Sequence, residues 1–345
     1  CKSGDKFINV CVKCTSKFKK CSYSYCGEIL TDNGIVCDLC GDITCKIHES
    51  NHICQSGTPR GICRHGDYTI QFGDIEKAKV IKSSRVVGVE LECVNGDPTD
   101  ILPKLDRRTG VAHDGSLKGK NPIEIQTPPA SADKLEYYIK NATDILRRAG
   151  YKVNKTCGMH IHFDSSDFQN DPIKIHGLLM LYYAVEPLIF AMLPKSRKSN
   201  RYSLPLRDWI SESTLIKMGD SIYMDALEEM WYKSRNQDQA YKSKHNKYDS
   251  SRYHGFNLHA LFKDHHIEMR YHHGTLNATK IMNWIRFHIM LFNWALDCYN
   301  VTIINAIMFA TSPLEKVRIL NRHFDMDKSL RRYVLRNIKK FSNIT

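Results

Sequence analysis

Between Thr156 and Asp164 apolar and polar side chains alternate, which predicts a β-strand, because successive strand residues point to opposite faces. Met159, Ile161 and Phe163 take the packing face, while His160 and His162 share the other, about 7 Å apart. The same period of two runs through Arg85 to Cys93, where Val87, Val89 and Leu91 alternate with Gly88, Glu90 and Glu92. It recurs from Pro122 to Pro129, where Glu124 stands between Ile123 and Ile125. Arg252 to Phe262 reads as a strand, and His265 to Leu276 as another. In the latter Glu268, Arg270 and His272 fall on one face, with Ile267, Met269 and Tyr271 on the other.

Helical spacing takes over between these strands. Ser131 to Ala149 carries an apolar stripe of Leu135, Ile139, Ala142, Ile145, Leu146 and Ala149, with Ser131 and Asp133 as cap candidates and Gly150 as the stop. Ile173 to Leu193 is apolar throughout and ends at Pro194, as a buried helix would. Further helices are expected over Met224–Lys233, Ala278–Asn300, Leu314–Phe324 and Ser329–Phe341, the last basic and surface-lying. Lys195 to Tyr202 reads as a basic loop, and the Lys-rich stretch up to Ser250 as a mobile lid. Strands interspersed with helices, and no βαβ alternation, predict an α+β fold: an antiparallel sheet with helices on one face.

The chain has 345 residues and an apolar fraction of 42%, enough for a packed core. No run of 18 or more apolar residues occurs, which argues against a membrane span. It begins at Cys1 rather than Met, and so reads as a trimmed or partial chain. A formal net charge of +13 points to an anionic partner.

Ten of the thirteen cysteines lie within the first 63 residues, which divides the chain. Cys11-x2-Cys14, Cys21-x4-Cys26, Cys37-x2-Cys40 and Cys45-x2-His48 form four successive pairs, enough to hold two zinc ions tetrahedrally, in a spacing similar to RING-like or B-box-like modules. His52 and Cys54 compete with Cys45 and His48, so the pairing stays open. The expected organisation is a zinc module over 1–65, a linker over 66–82 and a larger unit over 83–345, in a reducing, cytoplasmic compartment.

Together the strands offer Glu90, Glu92, Glu124, His160, His162, Glu268 and Arg270 on one face of one sheet. Carboxylates crowded like this repel unless a cation neutralises them, and Mg²⁺ or Mn²⁺ is the natural one. A polyvalent metal site with an arginine beside it suits phosphoryl transfer. No GxxxxGK[ST] or GxSxG segment is present, so neither a P-loop nor a nucleophile elbow is supported.

The blocks Gly88–Glu92, His113–Leu117, Glu124–Pro129, Cys157–His162, Arg252–Leu261 and Ile267–Thr275 resemble, in order and spacing, the amidoligase family, a divergent branch of the carboxylate–amine ligases with the glutamine synthetase fold. The resemblance spans about residues 83–300 and does not reach the zinc module. It implies Glu90, Glu92, Glu124, His160 and Glu268 as Mg²⁺ ligands. It implies Arg270 against the transferred phosphoryl group, Arg252 against phosphate or acyl phosphate, and His162, Arg197, Asn200 and Asn257 at the nucleotide. For the amine's proton, Asp114, His272 and His273 are base candidates.

The implied reaction is ATP-dependent formation of an amide from a carboxylate and an amine through an acyl phosphate. The substrates are expected on an acidic protein or other macromolecule, with nucleic acid the less favoured partner and no membrane. The competing readings are a phosphotransferase that stops at the phosphorylated product, a metallohydrolase, and a non-enzymatic scaffold built on the zinc module.

Overall fold

The computed structural model of the chain describes residues 85–342, apart from 107, 169–170 and 220–221, and before them only the two-residue strands Lys2–Ser3, Lys6–Phe7, Ile35–Val36, Ile43–Thr44 and Cys63–Arg64. The expected zinc ligands Cys11, Cys14, Cys21, Cys26, Cys37, Cys40, Cys45 and His48, and the linker after them, lie outside the described residues.

Within 85–342 the strands are β1 (Val87–Cys93), β2 (Gly110–His113), β3 (Ile123–Gln126), β4 (Gly158–Asp164), β5 (Phe256–Asn257) and β6 (His266–His273). They hydrogen-bond in the order β5-β6-β4-β1-β3-β2, every one of these pairs antiparallel, and the two-residue strand Cys63–Arg64 adds a parallel edge beside β2. The helices are α1 (Ala132–Arg148), α2 (Pro172–Ala191), α3 (Lys195–Lys198), α4 (Glu212–Met218), α5 (Met224–Tyr232) and α6 (Gln237–His245). After these come α7 (His259–Asp264), α8 (Ala278–Asp297), α9 (Val301–Phe309), α10 (Pro313–His323) and α11 (Lys328–Phe341). This is the expected α+β class with an antiparallel sheet.

Alternation fixes which face each strand residue takes. Val87, Val89 and Leu91 of β1, Ile123 and Ile125 of β3, and Met159, Ile161 and Phe163 of β4 are all buried in the one large apolar core. Helices α1, α2 and α8 close that face; Phe163 meets Phe292 of α8 with ring centroids 4.9 Å apart. Helix α2 is long and apolar enough to cross a membrane, yet 78% of its apolar stretch is buried inside the fold, so it is a core helix. Its Glu186 reaches across to β6, where Oε1 accepts from Tyr271 Oη and from the Leu206 amide, both at 2.8 Å. The opposite sheet face, bearing the acids and histidines, is left to the site.

Four segments depart from the pattern-based expectation. Arg252–Phe262 is not one strand: a 3₁₀ turn over Ser250–Tyr253 leads into the two residues of β5, and α7 follows. Asn257 stands at the switch: its Oδ1 accepts the His259 amide at 2.9 Å, a local turn that leads from β5 into α7. The helix expected over 278–300 stops at Asp297, and Asn300 caps the separate α9 by accepting from Ile303. The stretch expected as a lid contains α6, capped by Asn236. Lys195–Tyr202 begins as the single turn α3, with Arg197 buried rather than solvated.

The departure that matters most lies in β6. Ile267 and Met269 pair with Phe163 and Ile161, but the register shifts by one between Met269 and His272, which then pairs with Met159. Such a bulge reverses the faces taken by the residues beyond it.

Candidate active site

The pairing register builds the site row by row. Gln126, Glu90 and His160 lie side by side across β3, β1 and β4. One step along, Gly88, His162, Glu268 and Asn257 cross β1, β4, β6 and β5. One step the other way, Ala112, Glu124 and Glu92 cross β2, β3 and β1. With Asp114, which follows β2, the polar side chains of these rows line a cavity of about 450 Å³. Its rim comes from Arg197, Asn200 and Tyr202 after α2, and from Lys247, Tyr248, Arg252, Tyr253 and Lys263 before β6.

The acids separate into two groups. Glu90, His162 and Glu268 each offer one donor atom within 4.8 Å of the others, and so do Glu92, Asp114 and Glu124. His160 lies between them: Nδ1 is 2.9 Å from Glu90 Oε2 and 3.5 Å from Glu268 Oε1, while Nε2 is 3.5 Å from Glu92 Oε1. A side chain in place of Gly158 would intrude here, since a Cβ would stand 3.1 Å from His160 Nε2 and 3.4 Å from Glu92 Oε2.

Electrostatics differ between the two groups. Burial pushes the Glu90 carboxyl up, but His162 and His160 outweigh it and hold it well below the usual range. Glu268, also buried, is drawn down to about 2 by Arg270 and the two histidines. Glu124 goes the other way: burial, then the charges of Glu90, Glu92 and Asp114, raise it well above the usual range. Gln126 partly relieves it, donating from Nε2 to Glu124 Oε1 at 2.6 Å. His162 is lowered by burial and raised more strongly by Glu90, so its balance lies above the ordinary value. His162 Nε2 is buried 3.1 Å from Glu90 Oε1 with no hydrogen bond made.

These observations fit divalent cations. Oxygen donors with imidazole suit Mg²⁺ or Mn²⁺, an ion would relieve the repulsion around Glu124, and the unsatisfied His162 Nε2 is available as a donor. Asp114 belongs to this acid group, one oxygen accepting the Ser116 amide at 2.8 Å.

The other sequence-chosen residues are placed as follows. Arg270 donates to Glu268 through Nη1 and to the Tyr202 carbonyl through Nε at 3.2 Å. Arg197, lowered by burial to about 10, donates from Nε to the Tyr271 carbonyl at 3.0 Å and from Nη2 to the Arg270 carbonyl. Arg252 is half-buried at the rim, its Nη1 on the Lys247 carbonyl at 3.0 Å. Asn200 accepts the Tyr202 amide at 2.8 Å. Asn257 donates to Glu268 Oε2 at 2.6 Å, so both ends of its amide are engaged within the protein.

His272 is corrected. The bulge in β6 turns it onto the helix side, where it is buried with its ring 4.8 Å from that of Trp284, outside the cavity lining. It does not share a face with Glu268 and Arg270. His273 also lies outside the lining; its Nε2 is 2.6 Å from Lys280 Nζ.

Two contributors went unselected from sequence. Gln126 stands two residues beyond Glu124, and His266 two before Glu268, so the same period of two contains both. His266 Nε2 lies 2.9 Å from His162 Nδ1, and its Nδ1 faces the Asp264 carbonyl at 3.2 Å. Burial and the charge of His162 hold His266 down at about 4.

No curated protein matches the chain. The model of a family described as "putative amidoligase enzyme" matches residues 113–292, just over half of the chain, taking in every site strand except β1 and most of β2. With that coverage, the chain belongs to the putative amidoligase enzyme family.

Proposed function

We propose that the chain is an ATP-dependent carboxylate–amine ligase with a glutamine synthetase-like catalytic unit, forming an amide through an acyl phosphate. The observation that carries this is the pair of three-donor groups around His160, with three arginines on the same cavity. Two adjacent groups suit a polyphosphate whose charge must be neutralised in several places.

A carboxylate oxygen of the substrate attacks the γ-phosphorus of ATP and displaces ADP. The amine nitrogen then attacks the acyl carbon, phosphate leaves, and the amine's proton departs on it as hydrogen phosphate. Glu90, His162 and Glu268 would hold one Mg²⁺ and Glu92, Asp114 and Glu124 another, with His160 serving both. Bound there, Mg²⁺ supplies charge neutralisation for the phosphates and the departing ADP.

Arg270 is the residue placed to meet the phosphoryl group in flight. Glu268 fixes its guanidinium from one side and the Tyr202 carbonyl from another, so its charge is pre-oriented. Arg197, braced on two β6 carbonyls, adds a second fixed positive charge. Gln126 and Asn257 orient Glu124 and Glu268. Most of the rate then comes from positioning and fixed charge.

Residues 1–65 we assign to a two-zinc module that recruits the macromolecule to be modified. Its removal should spare ATP hydrolysis with a small amine and abolish modification of the natural target.

Mg²⁺-dependent ADP release over a panel of carboxylates and amines tests the proposal, with Glu90→Ala as the control. ADP that needs both a carboxylate and an amine supports the ligase. ADP that needs only the carboxylate moves the reading to a phosphotransferase, and failure to bind nucleotide with or without Mg²⁺ overturns both.

A further inference from the structure

The surface of α11 carries a feature that the cavity does not use. Lys328, Arg331, Arg332, Arg336, Lys339 and Lys340 are all exposed, and their spacing of three and four residues puts them on one face of the helix. At 1.5 Å per residue the basic face runs about 18 Å. The opposite side is settled: Leu330, Val334 and Ile338 are buried in the core, and α11 packs on α2, α8 and α10. No Asp or Glu lies within α11.

The acids at its start do not quench the basic face. Asp327 caps the helix and is paired with Arg286, and Asp325 lies one turn outside it. Among the described residues no carboxylate forms an ion pair with any of the six cations. The patch widens on one side through Arg318 and Arg322 of α10, also exposed. Like charges at this spacing repel one another, so the helix bears a cost that a polyanion would remove.

We infer that α11 is a docking surface for the phosphodiester backbone of a nucleic acid duplex, held without reading its sequence. The chemistry selects this partner among polyanions. A protein interface needs an apolar centre with anchoring side chains, but the apolar residues of α11 are committed to the core. A membrane-surface helix needs that apolar side free to enter lipid, and it is not free. Single strands are held by exposed aromatic rings on which bases stack, and Tyr333 is half-buried and the only aromatic of α11 before its last residue. What remains is an elongated face of point charges, the complement of a uniformly charged rod. The sequence alone favoured an acidic protein; burial of the α11 apolar stripe reverses that preference.

The test is binding of the full chain to a fluorescent DNA duplex of about 20 base pairs and arbitrary sequence, across a salt series. The variant carries Arg331→Gln, Arg332→Gln, Arg336→Gln, Lys339→Gln and Lys340→Gln. A matched control carries Lys104→Gln, Lys134→Gln, Lys152→Gln, Lys155→Gln and Lys217→Gln, all exposed and on other elements. The variant should bind at least tenfold more weakly, with the slope of log K against log salt shallower by about 4, while the control keeps most of its affinity. Equal losses in variant and control would overturn the inference, since binding would then follow net charge alone. Unchanged binding in the variant would overturn it too. So would preference for polyglutamate or for anionic vesicles over the duplex. Circular dichroism of both variants establishes that they are folded.

Discussion

His266 Nε2 lies 2.9 Å from His162 Nδ1, and that contact decides which nitrogen His162 turns toward the acids. The Asp264 carbonyl can only accept, so it takes the Nδ1 proton of neutral His266 and leaves Nε2 to accept from His162. His162 Nε2 is thereby directed at Glu90 and Glu268. Replacing His266 by Leu should lower Mn²⁺ affinity by about 10- to 100-fold, as loss of an outer partner of a ligating histidine does, measured by electron paramagnetic resonance. His266→Gln, which can still accept, should restore part of it.

Glu124 carries the cost of the acid cluster. Its carboxyl is buried among Glu90, Glu92 and Asp114, so Glu124→Gln should raise the melting temperature of metal-free protein while shrinking the further rise on adding Mg²⁺. Differential scanning calorimetry with and without Mg²⁺ reads both. A fall in the metal-free melting temperature would contradict the electrostatic account.

Gly158 leaves room that the chemistry uses. Gly158→Ala places a methyl against His160 and Glu92, so ADP release should fall by at least tenfold, the scale of misplacing a catalytic group by part of an ångström. Urea unfolding should detect little change, because the crowded atoms lie in the cavity and not in the packed core.

Glu186 makes stability depend on pH far from the site. Burial raises its carboxyl from 4.5 to about 7, which means the neutral form is preferred in the fold. The stabilisation is therefore fully present below about 4.5 and is lost as pH rises through about 7, to a total of about 3 kcal/mol. Chemical denaturation at pH 5 and pH 8 should show that difference between wild type and Glu186→Gln, whose own stability lacks this slope.

Strand alternation made the site legible. Glu90, Glu92, Glu124, His160, His162, Glu268 and Arg270 all reach one cavity because a period of two is a local property, set by the backbone of each strand. What alternation cannot show is where it is interrupted. Nothing in Met269-Arg-Tyr-His272 signals the bulge, in which Arg270 and Tyr271 together oppose His160, and so unbroken alternation puts His272 on the wrong face. The same limit applies at Asn257, where a strand ends that the apolar pattern would have continued. Gln126 and His266 were within reach of the pattern, but a neutral amide and one histidine among several offered no charge to draw the eye.

The bulge also gives β6 a reading frame. Residues before it are in phase with the cavity and those after it are in phase with the helices. Deleting one residue between Met269 and His272 would close the bulge, as a second frameshift restores a frame, and leave His272 opposite Met159 and against Trp284; losing the bulge with every residue kept would instead turn His272 toward the acids. A strand punctuated in this way can be edited downstream of the bulge for packing without rewriting the message upstream of it.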